Sequence, residues 1–322
     1  VPKGMILAAG RGTRLGHLTA AIPKPLLPVA NVPVMTYGIQ CLHHLGIDEI
    51  CINVHYRAEQ IQQAFSDLPY ITWAHEKELT GTAGGMKKVE RHLSDDIIVV
   101  IAGDAMLDID LTPMLNAHRE RGAFASIATY LVDDPSQYGV VVADDEGRIQ
   151  QFQEKPKRGT EISNHANTGI YIFDPQVFEL IPADVHYDFA LDVFPEILRR
   201  GLPFYAFPTT GYWTDIGNPG EYMQANLDYL LGNIKAVGLG RRQGTSLVAE
   251  TAHVDGVTLH NSVVGSHAHV AAGCVLHNSV VWPGARLEEP VTLEHSVITT
   301  FGAFHIADKT AHKIDINNSI CK

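Results

Sequence analysis

Beyond residue 245 an aliphatic residue returns on a nearly fixed beat. Val248, Val254, Val264, Val270, Leu276, Val281, Leu287, Leu293 and Ile298 recur at steps of mostly six, with one step of ten and two of five. Small residues accompany them at Ala252, Ala268, Cys274, Ser279, Ala285 and Ser296. One aliphatic and one small residue per six is the pattern of a left-handed parallel β-helix. Each short strand sends its aliphatic side chain into the prism, and the small residue fits the tight corner. A β-sandwich would instead need alternation of period two and paired hairpin turns, and both are sparse here. Stacked repeats share one continuous core, so the region 241–322 reads as a domain of its own. The stretch 301–322 has no clear period and is expected to cap the last coil.

The first 240 residues follow a different rhythm. Short runs rich in β-branched residues (GMILAAG, EICINVHY, ITWAHE, DIIVVIAGD, FASIATYLV) alternate with helical patterns near 33–46, 57–66, 83–93 and 112–122. Such alternation predicts a Rossmann-like α/β domain over 1–240, with a mixed, mostly parallel sheet covered by helices on both faces. YGVVVADDEGRIQQFQEKP reads as a hairpin turning near Asp145-Glu146-Gly147. Helical patterns follow near 188–200 and 219–232.

Charge narrows the partners. Lys plus Arg number 24 against 36 Asp plus Glu, a net charge of −12, with no basic run, so a nucleic-acid partner is not expected. No apolar stretch reaches the ~18 residues of a membrane span. The chain enters a core strand at once and leaves no room for a signal peptide, which points to a cytoplasmic protein. Cys41, Cys51, Cys274 and Cys321 lack CxxC spacing and read as scattered reduced thiols. Eight of the 17 histidines lie beyond residue 250, without the spacing of a zinc site; His267 and His269 are their closest pair.

An acidic protein that binds an anion must use placed cations and backbone N–H groups. MILAAGRGTRLG supplies both, as a strand followed by a glycine-rich loop carrying Arg11 and Arg14. The loop fails the dinucleotide fingerprint, because Arg14 sits where the turn must close on pyrophosphate. Successive N–H groups with an arginine fork suit a triphosphate that leaves as pyrophosphate. In IPKPLLPV, three prolines surround Lys24. Flanking prolines stiffen the chain and pin the ammonium, as a transition-state clamp requires. Asp104 ends the buried run IIVVIAGD, where a parallel strand delivers side chains to the ligand crevice.

G-x-G-T-R-L followed by PKPLLPV resembles the signature of sugar-1-phosphate nucleotidyltransferases. IAGDAML, YGVV, FQEKP, NTGIYIF, DFALDVFP and GYWTDIGNP then follow in that family's order, so the resemblance covers about 1–232. A β-helix tail is a common appendage in the same family. The resemblance implies transfer of a nucleoside monophosphate from an NTP to a sugar 1-phosphate, with Mg²⁺ held by Asp104 and Asp215. Arg14, Lys24 and Lys155 become the catalytic cations. Ala9, Gly10, Arg11, Gly12 and Thr13 become the triphosphate loop, and Gly81, Thr82 and Gly84 the turn against the base. Gly139, Glu154, Asn167 and Gly169 become sugar contacts, with Asp192 in a supporting position. Asp108 and Asp110 are expected on the loop after Asp104 rather than on the metal.

Adjacent strand residues point to opposite faces, so the chain must bend at Glu154-Lys155 for both to reach ligand. The GTAG turn, DPSQYGVVV and NTGIYIF look most like guanylyltransferases acting on mannose 1-phosphate. Thymidylyl or uridylyl transfer to glucose 1-phosphate is the alternative, as is a regulatory subunit that binds NDP-sugar without making it. The β-helix carries no long excursion loop with a catalytic histidine, so an acyltransferase site is not expected there, and its exposed coils predict a homo-oligomer. One departure stands out. The family's loop commonly continues Arg-Leu-x-Pro-Leu-Thr, and this chain has Arg14-Leu15-Gly16-His17-Leu18-Thr19, which loosens the turn.

Overall fold

The computed structural model describes residues 1–236 and 238–314. Their contacts divide the chain into two units. The first comprises Val1–Gly10, Gly38–Gly103 and Ile109–Trp213. The second comprises Arg11–Tyr37, Asp104–Asp108 and the chain from Thr214 onward.

The first unit is built on a nine-stranded sheet. Its strands are β1 (Lys3–Leu7), β2 (Ile50–Val54), β3 (Ile71–His75), β4 (Ile98–Ala102), β5 (Ala125–Leu131), β6 (Val140–Ala143), β7 (Ile149–Gln153), β8 (His165–Phe173) and β9 (Phe204–Pro208). β1 pairs in parallel with β2 on one side and β4 on the other, and β3 continues parallel beyond β2. β8 runs antiparallel to β4, β5 and β6, while β9 is parallel to β5. β5, β6 and β9 therefore share the direction of β1, and the expected mixed, mostly parallel sheet is present. β2 and β4 are almost wholly buried, as strands covered on both faces must be. Helices Gly81–Lys87, Thr112–Glu120 and Phe194–Arg200 pack on the sheet. Phe173, Phe189, Phe194 and Phe204 are each at most 1% exposed and form the aromatic centre of its core. β6 and β7 make the expected hairpin, with Gly147 at a φ of 81° in its turn.

Two helical readings need correction. The pattern at 83–93 is two short helices, Gly81–Lys87 and Glu90–Leu93, broken where Val89 leaves helical geometry at φ −110°, ψ 17°. The pattern at 188–200 begins as a wide π turn over Phe189–Val193 and becomes α-helical at Phe194–Arg200. Pro195 has no N–H, so the α-helical ladder cannot run back through it.

The second unit contains the repeats as a three-faced β-helix. Val248, Val264, Val281 and Ile298 stack in parallel register on one face. Val270 and Leu287 pair on the second face, and Leu259, Leu276 and Leu293 on the third. Leu259 accounts for the step of ten, which is two steps of five; it escaped the sequence reading because His and Thr flank it. A buried serine marks one corner of every coil. The Ser262, Ser279 and Ser296 amides donate to the hydroxyl of the serine one coil earlier, at 3.0 to 3.2 Å and 16 or 17 residues back. The preceding residues Asn261, Asn278 and His295 take φ of 44–46°, the left-handed turn that makes the corner.

The chain beyond 300 is structured as far as it is described. Gly302–Ala307 pairs antiparallel with Ser296–Thr299 of the last coil, and Thr310–Ile314 pairs antiparallel with Gly302–Ala307. Cys41, Cys51 and Cys274 are buried thiols, and Cys321, with the end of the expected cap, lies outside the described residues. No helix among the described residues is long and apolar enough to cross a membrane.

Candidate active site

In the second unit, the chain from Arg11 to Thr19 wraps around Lys24. Gly12 adopts φ +63°, and a Cβ there would meet the Lys24 Cβ at 2.9 Å, so only glycine lets this turn lie on the lysine. The Thr19 hydroxyl ties the turn down by donating to the Gly12 carbonyl at 3.0 Å. Gly16 sits at φ 54°, ψ −119°. The family's proline falls in register with His17, and Gly16, one residue before it, holds a positive φ that residues other than glycine rarely adopt. Leu15 and Leu18 are buried and anchor the segment, while Arg11, Thr13 and Arg14 remain exposed.

Pro23 is extended and Lys24 opens a single 3₁₀ turn. The Lys24 ammonium is buried and donates to Asp104 Oδ2 at 2.6 Å and Asp215 Oδ1 at 3.0 Å. Burial is the largest influence on this group and pulls its pKa down, but the two carboxylates together hold it above the ordinary lysine value. Arg14 lies 3.6 Å from the other oxygen of Asp215. One cation therefore already joins two carboxylates separated by over a hundred residues.

Glu221 completes this cluster and was missed by the sequence reading. Its carboxylate accepts the Gly217 N–H at 2.7 Å, while the Asn218 side chain caps the helix Pro219–Leu231 by accepting the Glu221 N–H at 3.0 Å. Burial, and then Asp215, raise the Glu221 pKa. The turn carrying Asp215 is thus fixed from behind. N-x-x-E is a near-match to a capping box, and that signal could have found Glu221. Asp108 and Asp110 do other work. Asp108 accepts the Lys235 and Ala236 amides, and Asp110 accepts the Thr112 N–H at a helix start.

The first unit holds the remaining candidates in two groups. The turn at 79–85 docks onto residues 187–189. Gly81 sits at φ +78°, where a Cβ would be 2.5 Å from the Tyr187 carbonyl. That carbonyl accepts the Ala83 and Gly84 amides at 3.0 and 2.9 Å. The Thr82 amide and hydroxyl both lie 3.0 Å from Asp188 Oδ1. Asp192 in turn accepts the Asp188 N–H at 2.7 Å. The amides of residues 82 to 84 are therefore engaged inside the protein. Below the turn, Glu76 is 3% exposed and accepts from Asn53 Nδ2 at 2.6 Å, the Thr80 amide at 3.0 Å and the Thr80 hydroxyl at 2.7 Å. Asn53 Oδ1 accepts the Ala8 N–H at 2.9 Å, just after β1. Glu76 links the two loops of this unit, a role no local motif announced.

The second group surrounds Gly139. A Cβ at Gly139 would meet Glu154 Oε2 and the Phe152 ring at 2.7 Å each. The chain bends at Lys155, with φ +40°, as needed for neighbouring side chains to leave their alternating faces. Lys155 and Glu154 approach to 3.4 Å, with Lys155 largely exposed. The Asn167 N–H donates to the Gly139 carbonyl at 2.8 Å. Its side chain accepts the Gly169 N–H at 3.0 Å and donates to the Tyr171 hydroxyl at 3.0 Å. Gly139, Glu154, Lys155, Asn167 and Gly169 are brought together.

Comparison with known proteins identifies the family. The family described as Nucleotidyl transferase matches residues 3–231, and the family described as GlmU-like, C-terminal hexapeptide matches residues 238–312. The chain is 42% identical over 252 residues to a UTP–glucose-1-phosphate uridylyltransferase of Synechocystis sp., covering 73% of this chain and 65% of that protein's length. It is 33% identical to mannose-1-phosphate guanylyltransferase 1 of Arabidopsis thaliana, covering 85% of this chain and 74% of that one. It is 30% identical to the mannose-1-phosphate guanylyltransferase of Mycobacterium tuberculosis, covering 84% and 76%. A crystal structure ascribed to a glucose-1-phosphate thymidylyltransferase of Bacillus anthracis, in complex with a sucrose, matches with a TM-score of 0.65. That match is 27% identical and covers 75% of this chain and 98% of that one. By sequence and by fold, the chain belongs to the nucleotidyl transferase family and carries a GlmU-like, left-handed β-helical hexapeptide region after the catalytic-type domain.

Proposed function

We propose that the protein transfers a nucleoside monophosphate from an NTP to a sugar 1-phosphate, releasing pyrophosphate, with GTP and mannose 1-phosphate as the pair. The observation that carries this reading is the buried Lys24 ammonium held between Asp104 and Asp215, beside the glycine turn and Arg14. In the reaction, an ionised oxygen of the sugar phosphate attacks the α-phosphorus. The bond to the bridging oxygen of the β-phosphate breaks, and pyrophosphate leaves with the electron pair. The nucleophile is already an anion, so no base is needed. The barrier is repulsion between anions, and the protein lowers it by positioning and charge neutralisation. Lys24 and Arg14 neutralise charge on the α-phosphate and the departing pyrophosphate. The N–H groups of Gly10 to Thr13 hold the rest of the triphosphate. Lys155 holds the attacking phosphate and Glu154 accepts from sugar hydroxyls.

The donor set fits Mg²⁺. Two carboxylate oxygens already converge on one cationic atom, and an ion that keeps waters and phosphate oxygens needs few protein ligands. Asp104 and Asp215 would hold it, and it would supply neutralisation of the triphosphate charge.

The GTAG turn favours the guanylyl and mannose reading. The 42% identity to the protein named a uridylyltransferase favours UTP and glucose 1-phosphate as a second reading. Pyrophosphate release, measured with Mg²⁺ across GTP, dTTP, UTP, CTP and ATP and the two sugar phosphates, separates them. Dominant turnover of GTP with mannose 1-phosphate is expected. Dominant turnover of UTP or dTTP with glucose 1-phosphate overturns the pair, and silence across the panel favours a regulatory subunit. A homo-oligomer built on the β-helix coils belongs to the same proposal, and sedimentation of the intact chain tests it.

A further inference from the structure

The turn that contacts triphosphate in the proposed reaction has His17 in register with the family's proline and carries Gly16 at φ 54°, where a Cβ would meet nothing within 4 Å. Its own sequence gives it little stiffness. Besides Lys24 and the Thr19 hydroxyl, what lies against it comes from the far end of the chain. His17 stacks on Phe304 with ring centroids 5.4 Å apart and planes 14° from parallel. Phe304 is 3% exposed. The strand Thr310–Ile314 also packs against Thr13–Thr19. From Phe304 the aromatic contacts continue to Phe301 at 6.0 Å, Trp282 at 5.9 Å and Tyr222 at 6.4 Å. Trp282 Nε1 donates to the Tyr222 hydroxyl at 2.9 Å, and that hydroxyl donates to the Pro28 carbonyl at 2.7 Å. One aromatic series therefore touches the chain on both sides of Lys24.

We propose that the hairpin 302–314 positions the phosphate turn, with Phe304 clamping it through His17 in place of the stiffness that the turn's own sequence lacks. Phe304 and His17 are positioning residues. The proposal rests on the reading that this turn binds the triphosphate. It makes the β-helix end part of the nucleotide machinery.

The test uses the full chain. His17→Ala and Phe304→Ala remove the stack, and His17→Phe keeps a ring. Hydrogen exchange is measured over 11–19 without nucleotide, together with kcat and the KM of each substrate. Both alanine variants are expected to speed exchange over 11–19 by about three- to ten-fold, the range one aromatic pair supplies. KM for the NTP should rise by a similar factor, KM for the sugar 1-phosphate should stay within about two-fold, and His17→Phe should restore both. Unchanged exchange in the alanine variants overturns the proposal. So does faster exchange with an unchanged NTP KM in an active enzyme. Should Phe304→Ala not fold, the exposed His17 decides through its two variants. If the wild type turns over no NTP, the reaction reading fails and the exchange measurement still decides whether the hairpin orders the turn.

Discussion

Replacing Lys24 by methionine keeps the side chain's length and removes its charge. The Lys24 side chain is 6% exposed, against 37% for Asp104 and 25% for Asp215. Breaking a fully buried ion pair costs about 3–5 kcal/mol. Here water reaches both carboxylates, so about 1–3 kcal/mol is expected. At about 2 °C per kcal/mol for a chain of this size, the melting temperature in EDTA should fall by about 2–6 °C. A divalent cation should reverse the loss. In the wild type the ammonium already offsets the pair's charge, whereas in Lys24→Met only the exposed Arg14, 3.6 Å from Asp215, remains as a cation beside them. Millimolar Mn²⁺ should therefore raise the melting temperature of the variant more than that of the wild type, and Asp104→Asn should abolish the difference. Turnover should fall by ~10² or more, the usual loss for a transition-state donor. The ammonium's contribution has a defined pH window, because its folded pKa lies above the ordinary 10.5. It is complete below the unfolded value and lost only as pH rises through the folded one. Thermal melts in EDTA and in Mn²⁺ decide the matter. Equal Mn²⁺ shifts in the two proteins, or an unchanged melt in EDTA, would refute the reasoning.

Three further outcomes follow from other sites. His118 is buried against Ser126, and burial first of all lowers its pKa from 6.5 to about 4. The unfolded chain binds the extra proton, so stability should be full above about pH 6.5 and fall by about 3 kcal/mol as pH drops towards 4. Urea midpoints across that range should show a smaller drop in His118→Gln. Glu76→Gln replaces one of two accepting oxygens by a donor facing Asn53 and Thr80. It should cost about 1–3 kcal/mol and raise the NTP KM more than the sugar-phosphate KM. A Cβ on Gly220 would lie 2.0 Å from the Asp308 carbonyl. Gly220→Ala should therefore destabilise by about 1–3 kcal/mol and speed exchange over 302–314, which deuterium uptake would report.

What could be read from the sequence was what is local. The coil period announces itself because each coil repeats its own chemistry 16 or 17 residues on. The bend at Glu154-Lys155 was legible because the resemblance asks both side chains to reach ligand, which an alternating strand would forbid. Lys24 was legible because proline writes stiffness into its immediate neighbours. Where local signals compete with tertiary contacts, the reading slipped. Residues 81–82 look like loop, yet a helix starts at Gly81 because the Tyr187 carbonyl and the Asp188 carboxylate, over 100 residues away, collect the amides of its first turn. Close packing also requires glycine in this helix: a Cβ on Gly85 would meet Asn53 and Glu76 within 2.8 Å.

Four of the residues that escaped notice share one property. Glu76, Tyr222, Trp282 and Phe304 act on partners that no motif spans. The Tyr222 hydroxyl reaches Pro28 across 194 residues. In isolation, each is an ordinary apolar or acidic residue on an ordinary element. The family signature ends near residue 232, so its boundary suggests that the β-helix is an addition. The contacts argue otherwise, because Arg11–Tyr37, with both halves of the signature loop, falls in the same unit as the coils. A turn that holds triphosphate must be ordered before the ligand arrives, or part of the binding energy is lost to ordering it. On the proposal above, part of that order comes from residues the signature does not contain. A change in the tail should therefore register first as a change in nucleotide affinity, while the signature itself remains intact.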